Sequence, residues 1–501
     1  MNGSFKRISA LAMALGVGAC ATTEEMALYS DRQAGFATVS QTAQAMTSPK
    51  QAVWIQGREH AQEIAEQVRA RVFGKTIDVE TAVQIALINN RGLQASYAQI
   101  GMSAADAWQT TLPENPKISV GVFGIAAPEF GLFRAIESII ATNILAIATQ
   151  RKRIDIADIR LRQAQLNAAS ETLRIASQTR RAWIGAVGAF EKVLHLNQAK
   201  YAADAASELA QKLGESGALT QAGQAREHAF YAELTGQMAE ARLAASLAKE
   251  ELTKLMGLWG SDINYFVADV LPDLPQKLAT KQSIEAAALQ NRIDLAIAKL
   301  ELDAVAKSFG LTTATRFVTD FEILGGFEKE KEIETEYELE PGPELTETTL
   351  EKSRTTPQIE LEFVIPIFDT GAARVRKAEA AYMQAANLLA EKAVAVRSEA
   401  RSAYTAYRAT FDIARHYRNA VLPLRTKIEE ESLLTYNGMI TNTFELLADT
   451  RAKINTVLLA GNAKREFWLA DANIATAIFG GEAVTTTSGG TTSVADAPQA
   501  H

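Results

Sequence analysis

Two stretches of strict alternation stand out in a chain otherwise written in helical periods. On the way up, Phe317, Phe321, Ile323 and Phe327 share one side, while Asp320, Glu322 and Glu328 share the other. On the way back, Ile359, Leu361, Phe363, Ile365 and Ile367 face one way and Gln358, Glu360 and Glu362 the other. A two-residue period over about ten residues, apolar on one face and polar on the other, predicts membrane-barrel strands. Lys117–Gly124 alternates likewise, with Ile118, Val120 and Val122 on one face. Its return, about Glu137–Thr149, alternates poorly and is assigned as a strand because its counterpart in the second hairpin is one. Glutamates at 328, 330, 332, 334, 336, 338 and 340 continue the second alternation up to a turn at Pro341-Gly342-Pro343. About ten residues already cross a bilayer, so the acidic loop 328–351 is expected to project beyond it. A solvated charged surface is the simplest account of that loop.

Elsewhere apolar residues recur by threes, fours and sevens. Arg151–Leu213 carries Leu166, Ala169, Leu173, Ala176, Trp183, Val187, Phe190, Leu194 and Tyr201 along one seam. This heptad-like pattern predicts about 60 residues, roughly 90 Å, of coiled-coil helix. Gly214 and Gly217 are expected to end it, with a second helix, about Thr220–Met256, running back to Gly257. About Thr370–Tyr436 and Thr441–Phe479 form a second pair, turned at Asn437-Gly438. Gln51–Val72 and Val79–Thr110 read as helices, with Asp78 as an N-cap. The polar segment from Cys20 to about Met46 is expected to be extended and surface-bound. From Gly480 onward Gly, Thr, Ser and Ala dominate, which predicts disorder.

The two halves repeat one plan. A shift of about 221 residues lays Arg153, Ile154, Ala157 and Asp158 on Arg374, Val375, Ala378 and Glu379. The same shift lays Arg180, Trp183, Phe190 and Gly217 on Arg401, Tyr404, Phe411 and Gly438. Asn90-Arg91 matches Asn291-Arg292 at about 201, and the acidic loop accounts for the roughly 20 residues of difference. One unit used twice follows. The expected divisions are a leader 1–19, an N-terminal segment 20–75, repeats 76–271 and 272–480, and a tail 481–501. Two hairpins supply four strands, too few to close a barrel, and an open sheet edge is not tolerated in lipid. Several copies must therefore associate.

Composition narrows the function. A net charge of −8 and no basic stripe argue against nucleic acid. The single cysteine rules out a disulfide framework or a cysteine zinc cluster. Lys6-Arg7, the apolar Ile8–Gly16 and then Val17-Gly18-Ala19-Cys20 read as a secretory signal ending in a lipoprotein box. Cleavage before Cys20 would let its thiol take a diacylglycerol; an ordinary signal peptide with an incidental cysteine is the alternative. Ala21 favours outer-membrane sorting. The histidines show no ligand spacing, and no nucleophile elbow or phosphate loop is present. No cofactor, metal site or catalytic residue is expected.

Thr81-Ala82, Ala86-Leu87-Ile88-Asn89-Asn90, Ile365-Pro366-Ile367-Phe368-Asp369-Thr370-Gly371, Tyr436-Asn437-Gly438 and Phe444-Glu445-Leu446-Leu447 occur in that order. With the anchor and the duplicated unit, they make the chain resemble the TolC-like outer-membrane efflux proteins over about residues 76–480. The resemblance implies a mainly α fold with a membrane β-barrel: a homotrimer with twelve strands, four per protomer, above a periplasmic coiled-coil tunnel. It implies a passive exit duct, joined by a periplasmic adaptor protein to an inner-membrane transporter, and embedded in outer-membrane lipid. The helix tips at Gly214, Gly217 and Gly438 would face the adaptor, or simply terminate helices. Asp320, Glu322, Glu360 and Glu362 would line the lumen and favour cations. Glu445 and Asp449 are candidates for an acidic constriction, or else lie on an ordinary helix face. Family members often space the tip acid six residues from the glycine; here Glu445 lies seven away. A coiled-coil lipoprotein without a channel is the alternative from another class, but it leaves the amphipathic strands unexplained. Drug or metal efflux and protein secretion stay open as uses of such a duct.

Overall fold

In a computed structural model the described residues are 23–33, 35–47, 52–125, 134–217, 219–278, 283–339, 345–438, 440 and 443–481. The leader, Cys20, the Pro341-Gly342-Pro343 turn and the tail from 482 lie outside them. The first elements are α1 (Thr23–Ser30), α2 (Phe36–Thr47), α3 (Arg58–Val72), β1 (Thr76–Ile77), α4 (Val79–Asn89) and α5 (Arg91–Thr111). Then come β2 (Lys117–Phe123), β3 (Ala135–Asn143), α6 (Ile144–Glu215), α7 (Gln221–Met256) and β4 (Phe266–Val267). The second half runs α8 (Ile284–Asn291), α9 (Ile293–Ala314), β5 (Phe321–Leu339), β6 (Leu345–Phe363), α10 (Ala372–His416), α11 (Leu422–Asn437) and α12 (Thr443–Phe479). Among the described residues no helix is long and apolar enough to cross a membrane.

The chain divides into two compact units. The first comprises Met1–Ala34, Gly101–Gln163 and Ala298–Leu389. Its centre is one antiparallel sheet in the order β2-β3-β5-β6. α5 leads into β2, β3 into α6, α9 into β5 and β6 into α10, so the helices join one end of the sheet and the hairpin turns lie at the other. β5 and β6 are 19 residues each, about twice a bilayer-crossing strand. Phe317, Ile365 and Ile367, expected within strands, fall outside them. The weakly alternating return is a strand only to Asn143; its side chain then caps α6, accepting from the Ala146 N–H at 2.8 Å.

The second unit comprises Gly35–Ile100, Ala164–Ile297 and Ala390–His501. The segment expected to be extended is helical instead, and α2 buries Val39 and Ala43, four residues apart. Phe36 sets its ring 4.9 Å from Tyr97 and 5.8 Å from Trp54, an anchor that a mostly polar sequence conceals. Gly57, at φ 89, delays α3 to Arg58. The helix expected over 79–110 breaks at Asn90, whose φ of −65 and ψ of 118 are extended. The break has a purpose in packing. Asn89 Nδ2 donates to the Met256 and Gly257 carbonyls at 3.0 and 2.8 Å, and Asn90 Nδ2 donates to Leu255 at 2.9 Å. These carbonyls end α7, where no intrahelical donor remains. In the second repeat the break falls at Arg292, whose N–H reaches Ala288 as the Asn90 N–H reaches Ala86. The structural offset is therefore 202, one more than the Asn-Arg match implied.

The core of this unit gathers Trp183, Val187, Leu252, Met256 and Tyr265 around the β1–β4 pair, with Trp183 Nε1 donating to the Ile77 carbonyl at 2.9 Å. Along α6 the predicted seam holds from Ala169 to Val187. Beyond it Tyr201 is 78% exposed, and Leu196, Ala199 and Ala203 form the contact instead. Small alanines admit the partner helix closely, so the packed stripe is not the one with the largest side chains.

The helix expected over 370–436 is interrupted by a π-turn at Tyr417–Val421. Pro423 has no N–H for the carbonyl four residues back, and the Leu422 N–H bonds the carbonyl of Tyr417, five back. In the first repeat Ala202 occupies the matching place and α6 runs on unbroken.

Candidate functional site

The cross-strand register sorts the sheet into two faces. Ile118, Val120 and Val122 of β2, Ile136 and Ile140 of β3, Phe321, Ile323 and Phe327 of β5, and Ile359, Leu361 and Phe363 of β6 fall on one. Most are exposed, Ile359 at 83%. A contiguous exposed apolar face marks a surface for contact with another protein or a membrane. Among the described residues its sheet edges, β2 and β6, carry no further strand.

The other face carries the predicted acids. Glu322 sits directly across from Glu362, and Glu360 lies opposite Leu324. Asp320 precedes β5 rather than lying on it, and its carboxylate accepts from Asn143 Nδ2 at 2.8 Å. Like charges directly opposite destabilise a sheet, and the relief comes from Lys117, whose ammonium is 3.1 Å from Glu322. The sequence reading missed Lys117 as a partner because the two residues are 205 apart. Glu137 shares this face, and Glu328 and Glu330 extend it, accepting from Gln358 at 3.1 Å and Arg134 at 3.0 Å. The result is an acid-rich surface with a few built-in cations.

The predicted helix tips lie in the second unit. Gly214 does not end α6; the helix continues through it to Glu215. A methyl at Gly214 would stand 1.1 Å from the Gln224 side chain, so the glycine lets Gln224 cross the hairpin to the Gln211 carbonyl. Gly217 makes the turn at φ +75, and Thr220 caps α7 by accepting from the Gly223 N–H at 3.2 Å. Gly438 differs: its φ is −78, open to any residue, and its N–H caps Leu434 at 3.0 Å. Leu434 and Ile440 beside it are largely exposed.

Glu445 is exposed in the first turn of α12, and Asp449 lies one turn further on the same helix. Asp449 accepts from the Ser432 hydroxyl across the hairpin, and Lys453 pairs with Glu429 one turn beyond. The two candidate acids thus share a helix side, with Leu446 and Leu447 between them buried. A contact not foreseen joins the two hairpins: Arg451 of α12 pairs with Glu227 of α7, which is 4% exposed, and lies 4.9 Å over the Phe230 ring. Among the described residues no group of histidine, cysteine and acids is placed to hold a metal ion.

No family model and no curated protein matches the sequence. Solved structures do match the fold. The CmeC outer membrane channel of Campylobacter jejuni aligns at TM-score 0.64 and 18% identity, covering 80% of this chain and 85% of that one. The outer membrane protein VceC of Vibrio cholerae aligns at 0.63 and 14% identity, covering 80% and 96%. The open state of the MtrE outer membrane channel of Neisseria gonorrhoeae aligns at 0.59 and 14% identity, covering 80% and 89%. The chain has the fold of these outer-membrane channel proteins.

Proposed function

We propose that the protein is the outer-membrane exit duct of a tripartite efflux system, a passive trimeric channel rather than an enzyme. The observation that carries this reading is the four-stranded sheet with one exposed apolar face and two open edges. In lipid every strand must be paired, and four strands are about half of the smallest barrel. Three copies joined β2 to β6 make twelve strands and leave no edge. The acid-rich face then lines the lumen through Asp320, Glu322, Glu360 and Glu362. The shared fold and the motif resemblance support the rest of the reading. Repeats 76–271 and 272–480 build barrel and periplasmic tunnel, and segment 20–75 wraps the tunnel. Cys20 anchors the chain in outer-membrane lipid after loss of residues 1–19. The tips at Gly214, Gly217 and Gly438 meet a periplasmic adaptor that leads to an inner-membrane transporter.

Glu445 and Asp449 narrow the closed end as an acidic ring, so Glu445→Gln with Asp449→Asn lowers cation selectivity in planar-bilayer recordings. The first test of the duct itself is negative-stain imaging of the detergent-purified protein. Hollow three-fold particles are expected. Solid rods or compact monomers would replace the duct with a coiled-coil scaffold.

A further inference from the structure

Beyond the apolar band the alternation of β5 continues with a different chemistry. After Phe327 the strand reads Glu328-Lys329-Glu330-Lys331-Glu332. With a two-residue period the glutamates share the face of Glu322, and the lysines share the face of Phe321, Ile323 and Phe327. The pairing with β6 treats the two faces differently. Glu330 and Glu332 lie across from Arg354 and Lys352, so the acids face cations on their own side. Lys329 and Lys331 lie across from Thr355 and Ser353. On β3 the residue level with Lys329 is Ile136, still apolar. Lys329 is exposed and Lys331 half-buried. The next rung, Ile333 opposite Glu351, ends the basic stretch.

The dimensions fit one layer of a membrane. Two rungs at 3.3 Å along strands tilted by 35–45° rise about 5 Å. Each headgroup layer is about 5–7 Å thick. The lysines therefore stand where hydrocarbon gives way to phosphate, on the side of the sheet that faces lipid and at its hairpin-turn end. A lysine at such a boundary lays its stem along the apolar surface and keeps its ammonium among anions. Over these two rungs the membrane side sets lysines opposite Thr355 and Ser353, while the other side sets glutamates opposite Arg354 and Lys352.

We propose that Lys329 and Lys331 bind the phosphates of anionic lipid in the leaflet at the hairpin-turn end, which sets the depth of the sheet in the membrane. The inference rests on the outer-membrane reading of the apolar face. Lipid A, a glycolipid with two phosphates, is the probe. Native mass spectrometry of the detergent-solubilised full chain titrated with lipid A reads the affinity, and planar-bilayer conductance checks the fold of each variant. A lysine at an anionic surface contributes about 1 kcal/mol, so K329Q weakens binding about 5-fold and K329Q with K331Q about 30-fold. K352Q removes the same charge from the opposite face and leaves lipid A affinity unchanged. The proposal is overturned if the wild type binds no lipid A, if the double variant binds as the wild type does, or if K352Q weakens binding equally. A wild type without channel conductance whose lipid A binding still depends on the two lysines would sink the duct and leave the lipid contact standing. A conducting channel with lysine-independent binding sinks this inference alone.

Discussion

Arg451→Met separates the two helical hairpins at their one buried ion pair among the described residues near the tips. Methionine keeps an unbranched stem over the Phe230 ring but leaves Glu227, 4% exposed, without its cation. Removing one partner of a buried pair costs about 3–5 kcal/mol. The Arg451 side chain is 32% exposed, so water already shares the guanidinium, and the lower end applies. About 3 kcal/mol raises the local opening of α7 from α12 roughly 150-fold. Amide hydrogen exchange on peptides covering α7 and the first half of α12 reads that change, while peptides around Trp183 serve as an unaffected reference. Replacing both partners, Glu227→Leu with Arg451→Met, removes the buried charge altogether and restores protection, since apolar substitutes for a buried pair are often neutral or stabilising. Unchanged exchange in Arg451→Met, or a double variant as unprotected as the single, would refute the view that this pair holds the hairpins together.

Three further outcomes follow from single contacts. Burial opposes ionisation of Asp294, but hydrogen bonds from Arg292 and Lys392 outweigh it and hold the carboxyl below its ordinary value. A depressed folded pKa contributes stability that is present above the unfolded value, about 3.9, and lost as pH falls below it. The thermal midpoint therefore drops on acidification through that range, and Asp294→Asn has a lower midpoint at neutral pH with a shallower acid slope. Gly326→Ala would place a methyl 2.2 Å from the Ser138 carbonyl oxygen and costs more than about 3 kcal/mol, while Gly325 has open space. On heat-modifiable gels Gly326→Ala fails to assemble and Gly325→Ala assembles normally. Gly217→Ala strains a backbone at φ +75 by about 1–2 kcal/mol, whereas Gly438→Ala, at φ −78, stays within about 0.5 kcal/mol. Limited proteolysis at the first tip accelerates only in the former.

Signals contained within a short window of chain are legible in the amino-acid order alone. Alternation through Phe321, Ile323 and Phe327 marks β5, and its two-residue period is enough to assign Glu322 to the face away from them. Thr220 and Gly257 bound α7 because a cap and a left-handed stop act within one turn. The N-terminal helices escape such a reading because two buried residues, Val39 and Ala43, carry α2 in an otherwise polar stretch. The π-turn leaves a local trace in Pro423, but a proline in a long helical pattern can kink, end or bulge the helix, and neighbours decide which.

The sequence by itself determined the duplicated unit, the faces of its strands and the chain's inability to close a barrel alone. Each of these follows from a backbone period or a count of strands. Only the tertiary structure decided that Lys117 answers Glu322, that Glu227 is buried under Arg451, and that Asn89 and Asn90 cap α7. Those partners are 205, 224 and about 165 residues apart. A side chain's charge is written in the sequence, but its surroundings are set by packing between distant segments, and no local period records them.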